Sequence, residues 1–431
     1  MIGAPVNIAL LRNRLVVIVV LLCTTSCNFI VPKSSLPAEG VAPLIYQSSL
    51  TYIGAFRVPQ ISSSTGGTFA WAASGLAYNA ANNSLFMTGH DHHQFVGEFT
   101  VPTSVLTTTI SELPIATLLQ APVDITEGNL SAIGVNGVVG EVPVNAKIGG
   151  LLVESGRLLG TIYAYYESAG SATRSHFSSG LLLSTRGDFS GVYTVGTLNS
   201  GFVAGYMASI PTTMQSKLGG TMLTGQACIP IISRSSYGPS ISAMNPVDLS
   251  KTVAATTVPL LYYPGDHPAL GEYYNESMVH PIYNMTTSVR GVVAVEGFNS
   301  VLFVGSTGMG IPEYGAGTDS FALDGKKLPN YDEYYVYDPA SPLTKGPHAW
   351  PYVYYMWAYN VDDLEAVALG NKKPWEILPY SHWSIQLPFI VDSLNSCDIG
   401  GVAYDPGTGR IFISQLLADN NRPIIHVFMA K

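Results

Sequence analysis

Short runs of alternating apolar and polar residues, separated by Gly, Asn, Asp and Pro, dominate the chain, and helical periodicity is scarce. The clearest figure begins at Ser74. It reads Ser-Gly-Leu-Ala-Tyr-Asn, a turn over Ala80 to Asn83, Ser-Leu-Phe-Met-Thr-Gly over 84–89, then Phe-Val-Gly-Glu-Phe-Thr from Phe95. This predicts three short strands with turn chemistry between the first two. The figure returns as Gly-Gly-Val-Ala-Tyr-Asp over 400–405, the turn Pro406 to Gly409, and a strand from Arg410. Further copies start at Gly149, with its turn at Glu154 to Gly156, and at Arg290, with its turn at Glu296 to Asn299; Gly219-Gly220-Thr-Met-Leu-Thr is a weaker one. Two helices are expected as decorations: Asp362 to Leu369, with Asp362 as N-cap and Gly370 as stop, and Pro211 to Leu218, ended by Gly219.

Gly75, Gly150, Gly220 and Gly291 fall roughly 70 to 75 residues apart, and Gly401 follows after a longer gap. A unit of three or four strands cannot bury its faces alone, so such repetition implies stacked or radial copies. The expectation is an all-β fold, a β-propeller of five blades. The interval from Gly291 to Gly401 is long enough to hold a sixth or seventh, and a stacked sandwich is the alternative. Tyr52 to Val58 is a lone strand before the first unit. Pairing it with the strand Ile424 to Phe428 would close the ring and remove both exposed edges.

The first residues read differently. Arg12 and Arg14 precede an apolar run from Leu15 to Leu22, too short to span a bilayer but suited to a secretory signal. Cys23-Thr-Thr-Ser-Cys27 resembles the lipobox of bacterial lipoproteins, with Thr24 where Leu is usual. The resemblance implies cleavage after residue 26, lipid on Cys27 and, with Asn28 following, an outer-membrane destination. The expected organisation is a signal over 1–26, a flexible tether over 27–45 and one propeller over 46–431. The alternative is a plain secretory signal or an uncleaved anchor. Cys228 and Cys397 then remain as the mature pair. A bridge between them would close about 170 residues and contribute on the order of 4 to 5 kcal/mol in the chain-entropy picture, unless both are small buried hydrophobes.

Composition narrows the function classes. Of 431 residues 47% are hydrophobic and 11% charged, and 20 Lys+Arg against 29 Asp+Glu give a formal net charge of -9. No segment gathers the cations that a phosphate backbone requires, so nucleic acid is not the expected partner. Nucleophile motifs such as Gly-x-Ser-x-Gly do not occur, and Gly305 to Gly310 lacks the ending of a phosphate loop.

Gly89-His-Asp-His-His-Gln94, Gly205-Tyr-Met-Ala-Ser-Ile-Pro211, His348-Ala-Trp-Pro-Tyr352 and Met356-Trp-Ala-Tyr-Asn360 resemble phrases of bacterial secreted and lipoprotein propeller-type proteins. The resemblance covers most of the mature chain and implies a fold and an envelope address, with no activity or catalytic residue attached.

The repeat sorts its own loops. First-to-second strand turns are short, whereas second-to-third loops and strand entries carry aromatic and charged residues, and these emerge on the opposite face. On that face are expected His90, His92, His93, Tyr165, Arg174, His176, Arg290, His348 and Trp350 as ligand-binding residues, with Trp71 and Lys147 at strand entries. It also receives 306–351 and the stretch Gln415 to Arg422. His90 and His92 are weak metal candidates, because the remaining ligands would have to come from distant His267, His280, His348 or His382. Asp91, Glu167 and Asp398 are candidate catalytic carboxylates, with Asp266 and Glu272 near them. Glycoside hydrolysis would need two of them at roughly 5 to 9.5 Å. Tyr331 to Trp357 is rich in Tyr and Trp, which suits stacking on sugar rings, anchoring a partner or packing between blades. The expected role is a lipid-anchored envelope module that binds a glycan or protein, with a propeller hydrolase as the alternative.

Overall fold

The structure, a computed structural model, describes residues 42–431 except 62–65, 135–137, 140–141, 144, 167–169, 227–228, 230–233, 268–270, 273–281, 330 and 392–397. The expected signal, Cys27, Glu167, Cys228, His280 and Cys397 lie outside the described residues. Among the described residues no helix is long and apolar enough to cross a membrane.

The chain is all-β and propeller-like. Five antiparallel four-stranded sheets succeed one another along it. From inner to outer strand, sheet I is Leu76–Asn79, Ser84–Thr88, Val96–Thr100 and Leu118–Val123; sheet II is Ala146–Glu154, Arg157–Ala164, His176–Ser179 and Ser190–Tyr193. Sheet III is Met207–Ser209, Met222–Gly225, Ile241–Met244 and Val258–Leu261; sheet IV is Ser288–Ala294, Ser300–Gly308, Tyr352–Asn360 and Ser381–Ile385. Sheet V joins Ile399–Asp405, Arg410–Asp419 and Arg422–Ala430 from the end of the chain to Leu50–Arg57 from its beginning. The expected terminal pairing is therefore present, in register from Leu50 opposite Ala430 to Arg57 opposite Ile424. The break in that ladder sits at Gly54, whose φ is +119° and where a Cβ would lie 2.5 Å from the Val105 carbonyl. Arg57 and Arg422 fix the join by both holding the buried Asp419 carboxylate, at 3.0 and 2.9 Å.

The five inner strands neighbour one another in the order I, II, III, IV, V, and sheet V returns to sheet I. Glycine is needed where these backbones meet. A Cβ on Gly149 would lie 2.0 Å from the Ala204 carbonyl, and one on Gly291 2.3 Å from Val402. All five inner strands contribute to one mainly apolar cavity of about 300 Å³, which opens beside the first-to-second turns at Ala80, Glu296 and Pro406. Large apolar side chains fill the spaces between sheets; Phe303, Tyr359 and Leu364 are fully buried in the largest cluster.

Several expectations are corrected. The glycine at the start of the sheet III inner strand is Gly205, not Gly220, which precedes the second strand because the connection between them holds helix α1, Thr212–Leu218. Helix α2 spans Val361–Ala368 and its N-cap is Asn360, whose side chain accepts from the Asp362 N–H at 2.9 Å. Gln415 to Arg422 is strand and a tight hairpin through Asn420, at φ +59°, rather than a loop. The stretch 306–351 builds a separate three-stranded sheet of Glu313–Thr318, Tyr335–Tyr337 and Lys345–His348 between the second and third strands of sheet IV. Within the described residues Ile45 is fully buried with its N–H on Ser300 Oγ at 3.0 Å, and Pro43 accepts from Asn299 N.

Candidate functional site

On the face opposite the short turns, the entry to sheet I, the loop after its second strand, and sheet V enclose a pocket of about 460 Å³. Trp71, His90, Asp91, His92, Asp398 and Leu417 line it. The strand entries of sheets V and I, the second-to-third loop of sheet I and the second strand of sheet V supply these residues, so the strand order itself brings together Asp91, Asp398, His90 and His92.

The loop is held by its own backbone and by Gln94. His93 and Gln94 both donate their N–H to the His90 carbonyl at 2.9 Å, closing one tight turn. Gln94, buried and at φ +57°, accepts from Ile148 N at 2.7 Å and donates to the Asp91 carbonyl at 2.5 Å, which ties the turn to the sheet II inner strand. Asp91 forms a salt bridge with Lys147. The Lys147 ammonium also lies 4.9 Å from the centre of the Tyr165 ring, a cation–π contact. Trp71 donates its N–H to the Asn421 carbonyl at 2.6 Å, is 54% exposed and has φ +52°. Leu417 has φ +59°. Two bulky residues in the left-handed region on one pocket mark backbone strain concentrated at that place.

His90 Nδ1 accepts the His92 N–H at 3.2 Å, which leaves the proton of the neutral ring on Nε2. Burial, followed by the neighbouring His93 and His92, lowers the His90 pKa, against a smaller opposing effect of Asp91. His90 is thus suited to donate to a ligand through Nε2 and poorly suited to ligate a metal through either nitrogen. Among the described residues no three His, Cys, Asp or Glu side chains converge to hold a metal ion.

Other expected site residues do not line the pocket. His93 packs its ring against Gly66, where a Cβ would meet it at 2.4 Å, and near Phe95. His176 is buried between sheets II and III, with Ser175 Oγ on Nδ1 at 2.8 Å and Thr224 Oγ1 on Nε2 at 2.9 Å; burial lowers its pKa to about 3. His348 is buried in the inserted sheet, where its nitrogens meet Asp338 at 2.7 Å and the Thr344 carbonyl at 3.0 Å. Trp350 packs edge-on against Tyr337 at 5.6 Å. Arg174 is exposed, and Arg290 reaches Ser288 Oγ at 2.9 Å and Ser74 Oγ at 3.4 Å. His267 meets the Trp375 carbonyl at 2.6 Å and His382 meets Tyr355 at 2.8 Å. Asp266 and Glu272 pair across a two-stranded ribbon. Sequence reasoning placed Gln94 and Leu417 in stretches on this face but did not name either as a site residue, because only the folded backbone reveals the positive φ of both.

No protein-family model matches the chain, and no curated protein matches it. Solved structures with similar chain paths include a glycosyl hydrolase from Bacteroides ovatus, 8% identical, covering 90% of this chain and 96% of that one at a TM-score of 0.42. An endo-arabinanase from Bacillus licheniformis is 11% identical, covering 84% and 94% at 0.37. A luciferin-regenerating enzyme is 7% identical, covering 85% and 94% at 0.34.

Proposed function

We propose that the chain is a closed five-bladed propeller, lipid-anchored to the bacterial envelope through Cys27, that binds a glycan on its loop-rich face. The observation that carries the binding reading is the pocket itself. An exposed indole stands beside two carboxylates and two imidazoles, a set that can stack on a sugar ring and bond its hydroxyls while the strained backbone holds it in place. The ring order of the five inner strands, with its return from sheet V to sheet I, supports closure.

The described chain begins beside the short turns, where Pro43 meets Asn299. Replacing Cys27 by Ser should release the protein from membranes; a variant that still sediments with them refutes the anchor. An array of envelope and plant glycans tests binding. Trp71→Ala should lower the affinity for any glycan retained by about tenfold, the value of one lost stacking contact, and an unchanged affinity refutes the pocket.

Asp91 and Asp398 sharing that pocket favour a second reading, hydrolysis by a carboxylate pair. Release of reducing ends by the wild type, abolished in both Asp91→Asn and Asp398→Asn, would establish it. Binding without turnover leaves the module reading standing.

A further inference from the structure

The cavity among the five inner strands is the chemical opposite of the Trp71 pocket. Leu76, Leu151, Met207, Val292 and Val402, one from each inner strand and each at most 6% exposed, form the part of its wall farthest from the short turns. A glycine stands just before four of them, at Gly75, Gly150, Gly291 and Gly401, and Gly205 stands two before Met207. At that level the backbones close in. A Cβ on Gly150 would lie 2.4 Å from the Gly205 carbonyl oxygen, and one on Gly401 3.2 Å from Gly75 N. Among the described residues the lining starts past the glycines and runs only toward the short turns, so the cavity is blind toward the Trp71 pocket and open on the other face. Its polar groups gather at the open end. There the Tyr78 hydroxyl donates to Asn83 at 3.1 Å, Ser209 donates to Glu154 at 2.9 Å and Tyr404 accepts from Glu296 N at 3.1 Å. Among the described residues Glu296 is the one charged residue on the wall. The charges around the opening match in pairs: Arg410, which reaches the Tyr78 hydroxyl at 3.4 Å, is bound to Asp405 at 2.8 Å, and Arg157 stands opposite Glu154 in its hairpin. Glu296 is left as the uncompensated charge.

We infer that this cavity is a binding site for a small amphiphilic amine, its hydrocarbon body between the inner strands and its ammonium beside Glu296. The inference goes beyond the glycan reading and does not depend on it, because the two sites share no lining residue. The walls cannot close on the space, since each inner strand is paired outward into its sheet and is held against its neighbours at the glycines. An apolar space of this kind leaves its wall atoms without contacts on one side, and a hydrocarbon restores those contacts as it leaves water. The volume of about 300 Å³ is roughly twice that of an apolar cavity that takes up benzene, which suits an alkyl chain or a fused pair of rings. Charge selects the head. A carboxylate would be repelled by Glu296, a hydroxyl would gain a hydrogen bond, and an ammonium gains a charge-assisted one.

The test is calorimetry on the full-length protein at neutral pH, with n-alkylamines of increasing length and with the alcohol and carboxylate of the octyl chain. Affinity for the amines should rise about fourfold per methylene, the transfer value, and level off once the chain fills the cavity. Octylamine should bind about threefold more tightly than octanol, the scale of an exposed ion pair, and octanoate should bind most weakly. Glu296→Gln should erase the preference for the amine and leave octanol affinity unchanged, which separates loss of the head contact from misfolding. Ala80→Trp and, independently, Pro406→Trp place a bulky ring on exposed turns at the opening, and each should weaken every ligand at least tenfold with an unchanged unfolding midpoint. No binding, affinity that does not rise with chain length, or affinity untouched by both Trp variants overturns the site. Equal affinity for the three head groups, preference for octanoate, or an amine preference that survives Glu296→Gln overturns the assignment of an amine.

Discussion

Glu98 offers a sharp test of how sheets I and II are held together. Its carboxylate is 1% exposed. One oxygen accepts from Asn79 at 3.0 Å, from Asn82 at 3.3 Å and from the Ser84 hydroxyl; the other accepts from Gln120 Nε2 at 2.6 Å. The Gln120 amide cannot turn over, because its Nε2 also donates to the Leu181 carbonyl and its Oε1 accepts from Leu183 N, both at 2.8 Å. Glu98→Gln is nearly isosteric, so the cavity term is small. Its best orientation keeps the carbonyl toward Asn79, Asn82 and Ser84 and turns the new NH₂ toward Gln120, setting two N–H donors against each other. One hydrogen bond to a charged group is lost, worth about 1.5 to 3 kcal/mol, and a buried donor is left unmatched, for a total of about 2 to 4 kcal/mol. Equilibrium urea unfolding followed by Trp fluorescence measures it. The control is the same substitution in a Gln120→Ala background, where the opposing donor is gone and the cost should fall by at least 1 kcal/mol. A cost below about 1 kcal/mol in the wild-type background, or an equal cost in both, refutes the orientation argument.

Two further outcomes follow from buried networks. Tyr263 donates to the Ile377 carbonyl at 2.5 Å, so it must accept from Tyr359 at 2.6 Å, and Tyr359 must in turn accept from Tyr283 at 2.5 Å; Tyr359→Phe should therefore strand the Tyr283 hydroxyl and cost about 1 to 3 kcal/mol in the same unfolding assay. Burial pushes the Asp419 carboxyl up, but Arg57 and Arg422 outweigh it and hold it below the ordinary range. Its contribution is thus complete above the unfolded value of about 3.9 and is lost as pH falls through the lower folded value, so stability measured from pH 6 to pH 2 should decline at the acid end, with a shallower slope in Asp419→Asn.

Most of the sheet architecture was legible because it rests on local chemistry. The turns at Ala80 to Asn83, at Ser155-Gly156 and at Pro406 to Gly409 are written in residues that accept turn geometry, and the strands beside them follow. Sheet III was misread at Gly220 for the converse reason. Its first turn is replaced by α1, and Gly219 at φ +81° is the helix stop rather than an entry to an inner strand. The inserted sheet pairs strands from distant parts of one long loop, including the parallel pair of Glu313–Thr318 with Tyr335–Tyr337, and no turn signal announces such a pairing.

For the site, strand order selects a face but cannot say which polar side chains reach it. Residue type gives no help with histidine. His176, His348 and His426 each engage both ring nitrogens, and His176 and His426 do so partly through distant strands, His176 through Thr224 at 2.9 Å and His426 through Tyr52 at 3.1 Å. Those partners lie as far as 374 residues away in sequence, so spacing along the chain carries no trace of them. His90 differs in that its Nδ1 meets the His92 N–H two residues on while its ring lines the pocket rather than reaching a distant strand. Polar residues on a short loop beside a bulky residue in strained backbone, with no ring bond to a distant strand, are thus what separates His90 from the buried His176 and His426. Asp91 lies on the same loop, its N–H on the Trp71 carbonyl at 2.8 Å and its carboxylate on Lys147 at the pocket edge, and this fixed position beside the exposed indole makes it the carboxylate on which a test of catalysis should begin.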